Sequence, residues 1–215
     1  MKFLVIIGFL VGFAGVLTAA GLAPVGSQER VTSQTTVANN GGRLETFVIR
    51  LPADRIVSTG GGASLRVSDQ MTHVEPPAGL AENEFTVEQF KLRNVAGDVI
   101  GVAVRHWTQA DAQGAVTWTA NIPSRGSLVW GSVGDPGAEL AAALVTAGVP
   151  SGIDWQGNIT IAMADGERAG TVLAGTEEFA DNLGRVDEAW EITGVGSNGE
   201  LRGTITLATA VRQSP

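Results

Sequence analysis

A two-residue alternation of apolar and polar side chains is the feature that most limits the folds open to this chain. In residues 115–122, AVTWTANI, the apolar Val116, Trp118 and Ile122 fall on one face, and polar residues fall on the other. Successive side chains point to opposite faces in an extended strand, so this alternation indicates a half-buried β-strand. The same period predicts seven further strands, at residues 44–51, 85–93, 98–107, 127–133, 158–164, 185–193 and 204–211.

Short turn signals separate these segments. Glycine stands with Asn, Asp or Ser at 94–98, 111–114, 124–126 and 197–199, and the chain has 29 glycines in 215 residues. These residue types favour tight turns. A sheet of many strands joined by short turns tends to close on itself, because an open edge exposes unpaired backbone groups. We therefore predict a mainly β fold, a small antiparallel β-barrel domain at 44–215.

One helix is predicted among the strands, in DPGAELAAALVTAGVP at 135–150. Asp135 can cap its start and Pro136 suits the first helical position. Gly148 supplies a left-handed stop, and Pro150 prevents continuation. The barrel is therefore expected to carry one short helix.

The first 25 residues are predicted to be a transmembrane anchor. Lys2 is followed by an uncharged stretch from Phe3 to Val25. A helix of this length measures about 35 Å, slightly more than the roughly 30 Å hydrocarbon core of a bilayer. Gly8, Gly12 and Gly15 would form a small-residue surface for packing against other membrane helices.

A signal peptide is the alternative interpretation of this segment. Thr18, Ala19 and Ala20 would suit a cleavage site, and the mature chain would then begin near Gly21. Under both interpretations the positive amino terminus stays in the cytoplasm and the rest of the chain lies outside it. We expect a single-pass inner-membrane protein with a polar linker at 26–43 and a periplasmic barrel.

Composition argues against several functional classes. The chain has 14 basic and 22 acidic residues, a net charge of −8, and no basic cluster in its sequence, so nucleic-acid binding is not expected. It has no cysteine and only two histidines, which argues against a thiolate or His-rich metal site. Gly60–Gly62 lacks the Gly-Lys of a phosphate loop, and the serines lack a Gly-x-Ser-x-Gly context. No cofactor and no metal are predicted.

Two residues are candidates for acid/base chemistry if the barrel is an enzyme. Alternation places His106 on one face with Ile100, Val102 and Val104, and Glu188 on one face with Val186, Trp190 and Ile192. A carboxylate and an imidazole projecting into an apolar lumen would form an acid/base pair. The alternative is that each lies at a strand end, solvated or hydrogen-bonded to backbone.

Aromatic and acidic residues leave further alternatives open. The five tryptophans either line a cavity for a flat hydrophobic ligand, form the core, or contact a membrane or partner: Trp107, Trp118, Trp130, Trp155 and Trp190. Six carboxylates gather in the C-terminal third, with a spacing that fits no calcium loop and predicts a solvated acidic face: Asp154, Asp165, Glu167, Glu177, Glu178 and Asp181.

Glycines in the C-terminal part follow a recognisable pattern. The residues concerned are Gly175, Thr176, Phe179, Gly184, Gly199, Leu201, Gly203, Thr204, Ile205 and Leu207. This arrangement resembles the late strands of the dirigent and allene oxide cyclase superfamily, whose fold is a small antiparallel barrel. The resemblance implies that Phe179 is an apolar plug at a barrel end. Glu177, Asp181 and Asn182 depart from the pattern, which has Gly, Gly and Ala there.

These observations predict a membrane-anchored, non-catalytic accessory or structural subunit of a bacterial membrane complex, respiratory or photosynthetic. Its expected partners are membrane lipid and other subunits, contacted through the N-terminal helix and the barrel surface. One alternative, implied by the resemblance, is an isomerase or cyclase acting on a hydrophobic substrate. Another is a barrel that binds a small hydrophobic ligand.

Overall fold

The computed structural model describes residues 36–37, 42–60, 63–67, 85–108, 115–150 and 152–213. These ranges contain twelve strands, one α-helix and two single-turn 3-10 helices, at Gly166–Arg168 and Glu177–Phe179. The helix is α1 (Pro136–Thr146). The strands are β1 (Thr36–Val37), β2 (Arg43–Leu51), β3 (Arg55–Gly60), β4 (Ala63–Val67), β5 (Phe85–Arg93), β6 (Val99–Thr108), β7 (Ala115–Ile122), β8 (Gly126–Val133), β9 (Trp155–Ala164), β10 (Gly170–Gly175), β11 (Asn182–Val195) and β12 (Leu201–Gln213).

Eight antiparallel strands close into a barrel. They pair in the order β2, β12, β11, β10, β8, β7, β6 and β5, and β5 returns to β2 where Val48 lies opposite Arg93. The Arg93 guanidinium also donates hydrogen bonds of 2.7 to 3.0 Å to the buried carboxylate of Asp54, beside this closure. The prediction of a mainly β, closed antiparallel barrel with one short helix is confirmed for the described residues.

Each predicted strand has a counterpart in the structure, and the prediction omitted four others. The omitted strands are β1, β3, β4 and β10, which have two to six residues and little room for alternation. The predicted anchor at 1–25 lies outside the described residues. None of the helices in the described ranges is long and apolar enough to cross a membrane.

Strands β9 and β10 both pair with β11, each along a different part of it. Residues of β9 pair with the stretch from Glu188 to Val195, whereas β10 pairs with Arg185 and Val186. Only β10 also pairs with β8. In the described sheet β9 does not pair with β8, so the barrel wall is split between these two strands.

Helix α1 connects β8 to β9 at this split. The Asp135 side chain accepts a 3.0 Å hydrogen bond from the Ala138 amide, which caps the first turn as predicted. Leu140 and Leu144 of the helix pack against the hydrophobic core. Gly148 has φ +69°, the left-handed conformation that ends the helix.

A bulge near the start of β6 changes which of its residues face inward. Leu92 pairs with Gly101 but Arg93 pairs with Val99, so Ile100 is an extra residue in the ladder. Ile100 and Gly101 are both buried, and the alternation shifts by one position. From there Ala103 and Arg105 point into the barrel.

The interior is packed with large side chains from every part of the wall. Trp118 and Trp130 stack with ring centroids 5.8 Å apart and an interplanar angle of 11°, and Phe90 lies 5.9 Å from Trp118. Trp190, Ile205 and other core residues are also buried. Aromatic rings bury 150 to 250 Å² each, so these residues dominate the hydrophobic stabilisation of the barrel.

The connection between β10 and β11, residues 176–181, buries Phe179 against the hydrophobic core. Glu177 has φ 52° and Asp181 has φ 55°, so two of the departures from the glycine pattern occupy the left-handed region. Glycine adopts this conformation without strain, whereas other residues do so at a cost of about 1–2 kcal/mol. At these two positions the backbone therefore has a conformation that suits the glycine of the superfamily pattern, although this chain has other residues there.

We expect Glu177→Gly to raise the free energy of unfolding by about 0.5–1 kcal/mol, because relief of the left-handed strain exceeds the entropy cost of glycine. The matched control is Glu167→Gly, in the other 3-10 turn, where φ is not positive. That change should lower stability by about 0.5–1 kcal/mol. Urea unfolding measures both, and a destabilising Glu177→Gly would contradict the assigned backbone conformation.

Candidate functional site in the barrel interior

Three charged residues meet inside the barrel on strands β5, β6 and β11. Glu88 lies directly opposite Arg105 in the β5–β6 ladder, and Arg105 lies opposite Trp118 in the β6–β7 ladder. Glu188 enters from β11, with Val186 and Trp190 buried on either side of it along the strand. All three charged side chains are buried, and Arg105 is only 1% exposed.

Arg105 joins the two carboxylates. Its Nε donates to Glu88 Oε2 at 3.1 Å and its Nη2 donates to the same oxygen, while its Nη1 donates to Glu188 Oε1 at 3.2 Å. Arg55 Nη2 lies 3.2 Å from Glu88 Oε1. Two arginines thus balance two glutamates, and the four-residue network has no net charge.

Indole rings surround the same network. The Trp190 Nε1 donates to Glu188 Oε1 at 2.7 Å, and the Trp118 Nε1 donates to Glu188 Oε2 at 2.8 Å. The Arg105 guanidinium carbon lies 4.5 to 5.2 Å from the ring centroids of Trp107, Trp118 and Trp190. Aromatic faces attract a cation, which helps to offset the cost of removing Arg105 from water.

The predicted acid/base pair of His106 and Glu188 is not assembled. His106 follows Arg105 on β6 and is exposed on the outer face, whereas Glu188 is buried in the interior. The face predicted for His106 was wrong because the bulge at Ile100 shifts the alternation, so Val102, Val104 and His106 point outward. The inward face predicted for Glu188 agrees with the structure.

The tryptophans fill the interior. Trp118, Trp130 and Trp190 are buried in the core, and Trp107 and Trp155 pack against it while remaining partly exposed. A cavity of about 10 Å³ lies beside Glu188, between Met163, Pro136 and neighbouring residues. This is the space of about one water molecule, far below the several hundred cubic ångströms of a ligand site.

A second buried arginine forms ion pairs in another part of the barrel. Arg125, in the turn between β7 and β8, donates to both carboxylate oxygens of Glu45 at 2.6 and 2.8 Å and to those of Glu178 at 3.2 Å. Burial alone would lower the pKa of Arg125, but its hydrogen bonds to Glu45 and Glu178 outweigh that effect, and the pKa is raised. The Phe179 ring lies 5.1 Å from the guanidinium.

The carboxylates predicted to form a solvated acidic face are mostly exposed. Asp154, Asp165, Glu167, Glu177 and Asp181 are exposed, whereas Glu178 is held by Arg43 and Arg125. Among the residues that the structure describes, no three His, Asp or Glu side chains converge as metal ligands would.

The sequence patterns did not identify four charged interior residues, Glu88, Arg105, Glu45 and Arg125. Glu88 had a signal, because it alternates with Phe90 and Leu92 in a predicted strand. Arg105 had none, because a regular hairpin about the turn at 94–98 would place Glu88 opposite Val104, and only the bulge at Ile100 brings Arg105 opposite Glu88.

We expect Arg105→Met to destabilise the protein by about 3–5 kcal/mol, because two buried carboxylates lose their shared partner. The double variant Arg105→Met with Glu188→Gln should be more stable than Arg105→Met alone, since it restores a neutral interior. Urea unfolding of each variant measures both effects.

The control is Arg168→Met, which removes the partly exposed Arg168–Glu139 pair of 3.1 Å and should cost less than about 1 kcal/mol. Additive losses in the double variant would contradict the network, because they would show that Arg105 and Glu188 contribute independently.

Comparison with known proteins adds no homologue from which a role could be transferred. No protein-family model matches the chain, and no curated protein sequence matches it. Functional inference therefore rests on the interior network, the outer surface and the N-terminal sequence.

Proposed function

We propose that this chain is a membrane-anchored, non-catalytic accessory subunit of a larger bacterial membrane complex, with its barrel on the periplasmic side. The observation that carries the proposal is the filled interior, where indole rings and a neutral ion network occupy the space that a substrate would need. A respiratory or photosynthetic assembly is the kind of complex to search first.

The proposal treats Glu188 as a structural residue because of its hydrogen bonds. One of its oxygens accepts from both Arg105 and Trp190, and the other accepts from Trp118. A general base must direct a free lone pair at a proton within hydrogen-bond reach. Glu188 would have to give up several buried bonds to do so, and each buried donor left unpaired costs about 1–3 kcal/mol.

The anchor part of the proposal rests on the sequence of residues 1–25. Its uncharged length suits a bilayer, and Gly8, Gly12 and Gly15 suit close approach to another helix. The barrel surface offers additional contact area, since Val133 and Leu173 on the outer wall are about three-fifths exposed. Single exposed apolar side chains are common on protein surfaces, so these two add contact area to the proposal and do not by themselves indicate an interface.

A second candidate function is an isomerase or cyclase of the allene oxide cyclase type, acting on a hydrophobic substrate. The specific observation in its favour is the small cavity that reaches Glu188 beneath Pro136 at the start of α1. Binding of a small hydrophobic ligand without chemistry would use the same entry. Both require α1 to move away and the tryptophans to separate.

We expect Gly8→Ile with Gly12→Ile to keep the protein in the membrane but release it from its complex, because bulky residues prevent close helix approach. Mild detergent extraction followed by identification of co-purifying proteins is the measurement. The matched control is Phe9→Ile with Phe13→Ile, which alters a neighbouring helix face and should leave the complex intact. A native chain that begins near Gly21 would refute the anchor.

Glu188→Gln should leave the activity of the complex unchanged wherever the variant barrel stays folded, since the proposal gives Glu188 no role in chemistry. Activity is measured in membranes from cells that carry the variant, with circular dichroism of the purified protein as the folding check. Loss of activity in a folded Glu188→Gln barrel would favour the cyclase instead.

A further inference from the structure

A groove on the outside of the barrel combines positive charge with exposed leucines. It has a volume of about 380 Å³ and runs across the ends of β2, β12 and β11. In the ladders, Leu44 lies opposite Ala210, which lies opposite Arg185. Two positions further toward the end of the barrel, Leu183 lies opposite Arg212.

The charge of the groove opposes that of the whole protein. Arg43, Arg185 and Arg212 line it, and no acidic residue does. Arg43 is engaged by Glu178 at 3.1 Å, whereas Arg185 and Arg212 form no ion pair with any residue in the described part of the chain. Three cations in one groove stand out in a protein with a net charge of −8.

Apolar side chains flank these cations. Leu44 is 42% exposed and Leu183 is 47% exposed, and small residues at 184 and 210 form the groove floor between the strands. Apolar side chains beside cations suit a membrane interface, where apolar groups enter the acyl boundary and cations meet phosphates.

We infer that this groove binds the phosphate headgroup of an anionic phospholipid in the membrane that holds the N-terminal segment, an inference that rests on the proposed anchor. A guanidinium forms paired hydrogen bonds with phosphate oxygens, and Arg185 and Arg212 are available for them. The groove therefore turns one end of the barrel toward the bilayer, while the remaining acidic surface is repelled from anionic lipid.

Chain order favours lipid over an acidic peptide as the occupant. Gly42 and Arg43, which line the groove, are the last residues of the predicted linker at 26–43, and Leu44, which also lines it, is the first residue of the predicted barrel. This is the part of the barrel wall closest in sequence to the predicted anchor. Lipid headgroups surround any anchored protein at high local concentration, so a modest affinity is sufficient.

The test uses the full-length chain in lipid nanodiscs. Because the protein has no cysteine, Leu183→Cys carries a single fluorophore at the groove, and Val145→Cys on α1, where the native side chain is 77% exposed, provides the control position. Discs of phosphatidylcholine alone are compared with discs containing phosphatidylglycerol, each with a spin-labelled quencher lipid. We expect strong quenching at position 183 only with phosphatidylglycerol, and little at position 145 in either disc.

Arg185→Glu with Arg212→Glu should reduce the quenched fraction at position 183 roughly tenfold or more, because both cations that face the lipid are reversed. The matched charge control is Lys91→Glu with Arg202→Glu, which alters an exposed cation on β5 and a partly exposed cation at the other end of β12 from the groove, and should leave quenching unchanged. Raising the salt concentration should weaken quenching in the protein that keeps Arg185 and Arg212, which tests the inference without a charge substitution.

Each contrary outcome has a distinct meaning. Equal quenching in both lipid compositions would overturn the lipid site. Quenching that persists in the Arg185→Glu with Arg212→Glu variant would overturn it too. Protection of the fluorophore by a soluble polyglutamate peptide, without quenching by lipid, would assign the groove to an acidic polypeptide and also overturn it. Retention in the disc without quenching defeats this inference alone, whereas failure to remain in either disc defeats the anchor and the inference together.

Discussion

The pairing of Arg105 with Glu88 and Glu188 is the constraint on which the rest of the barrel depends. Three full charges lie in an interior of low dielectric, where an unpaired ion would cost several kcal/mol. With Arg55 of β3, which pairs with Glu88, the network is neutral, and it stays so only when β3, β5, β6 and β11 keep their present register. Because a slip of one residue turns a side chain to the opposite face, any other register would leave a buried charge without its partner.

The same bonds that neutralise the interior also oppose a role in chemistry. Glu188 already accepts hydrogen bonds from Arg105, Trp118 and Trp190, and those rings occupy the lumen. Arg125 performs a similar task with Glu45 and Glu178, where it joins the β7–β8 turn to β2 and to the loop that buries Phe179. These features are the basis of our proposal that the domain interacts through its outer wall rather than through its lumen.

Sequence patterns predicted much of the fold because alternation and turn chemistry are local. The strands at 85–93 and 115–122 and the start of α1 were predicted with the bounds that the structure shows. The bulge at Ile100 was not predictable from alternation, since the inserted residue is itself apolar, and it reversed the face of His106. Glu188 was placed correctly because β11 has no irregularity between Val186 and Ile192 in its ladder with β12.

The interior ion network required information that alternation does not contain. Glu188 and Arg105 are 83 residues apart in sequence, and only closure of the barrel brings them together. The groove likewise combines residues of β2, β11 and β12 whose proximity depends on the register of two ladders. Sequence patterns indicate whether each residue faces inward or outward. Which residues contact one another depends on the pairing of the closed sheet.

Hydrogen exchange of the indole N–H groups tests most directly whether the interior is closed and filled. We predict that the N–H groups of Trp118 and Trp190 exchange only at the rate of global unfolding, because both are buried and bonded to Glu188. The Trp107 indole N–H, which has no hydrogen-bond partner among the described residues, serves as the internal reference and should exchange faster. Exchange of the Trp118 and Trp190 groups far faster than global unfolding would contradict this account, because it would show a lumen that opens to solvent and could admit a ligand.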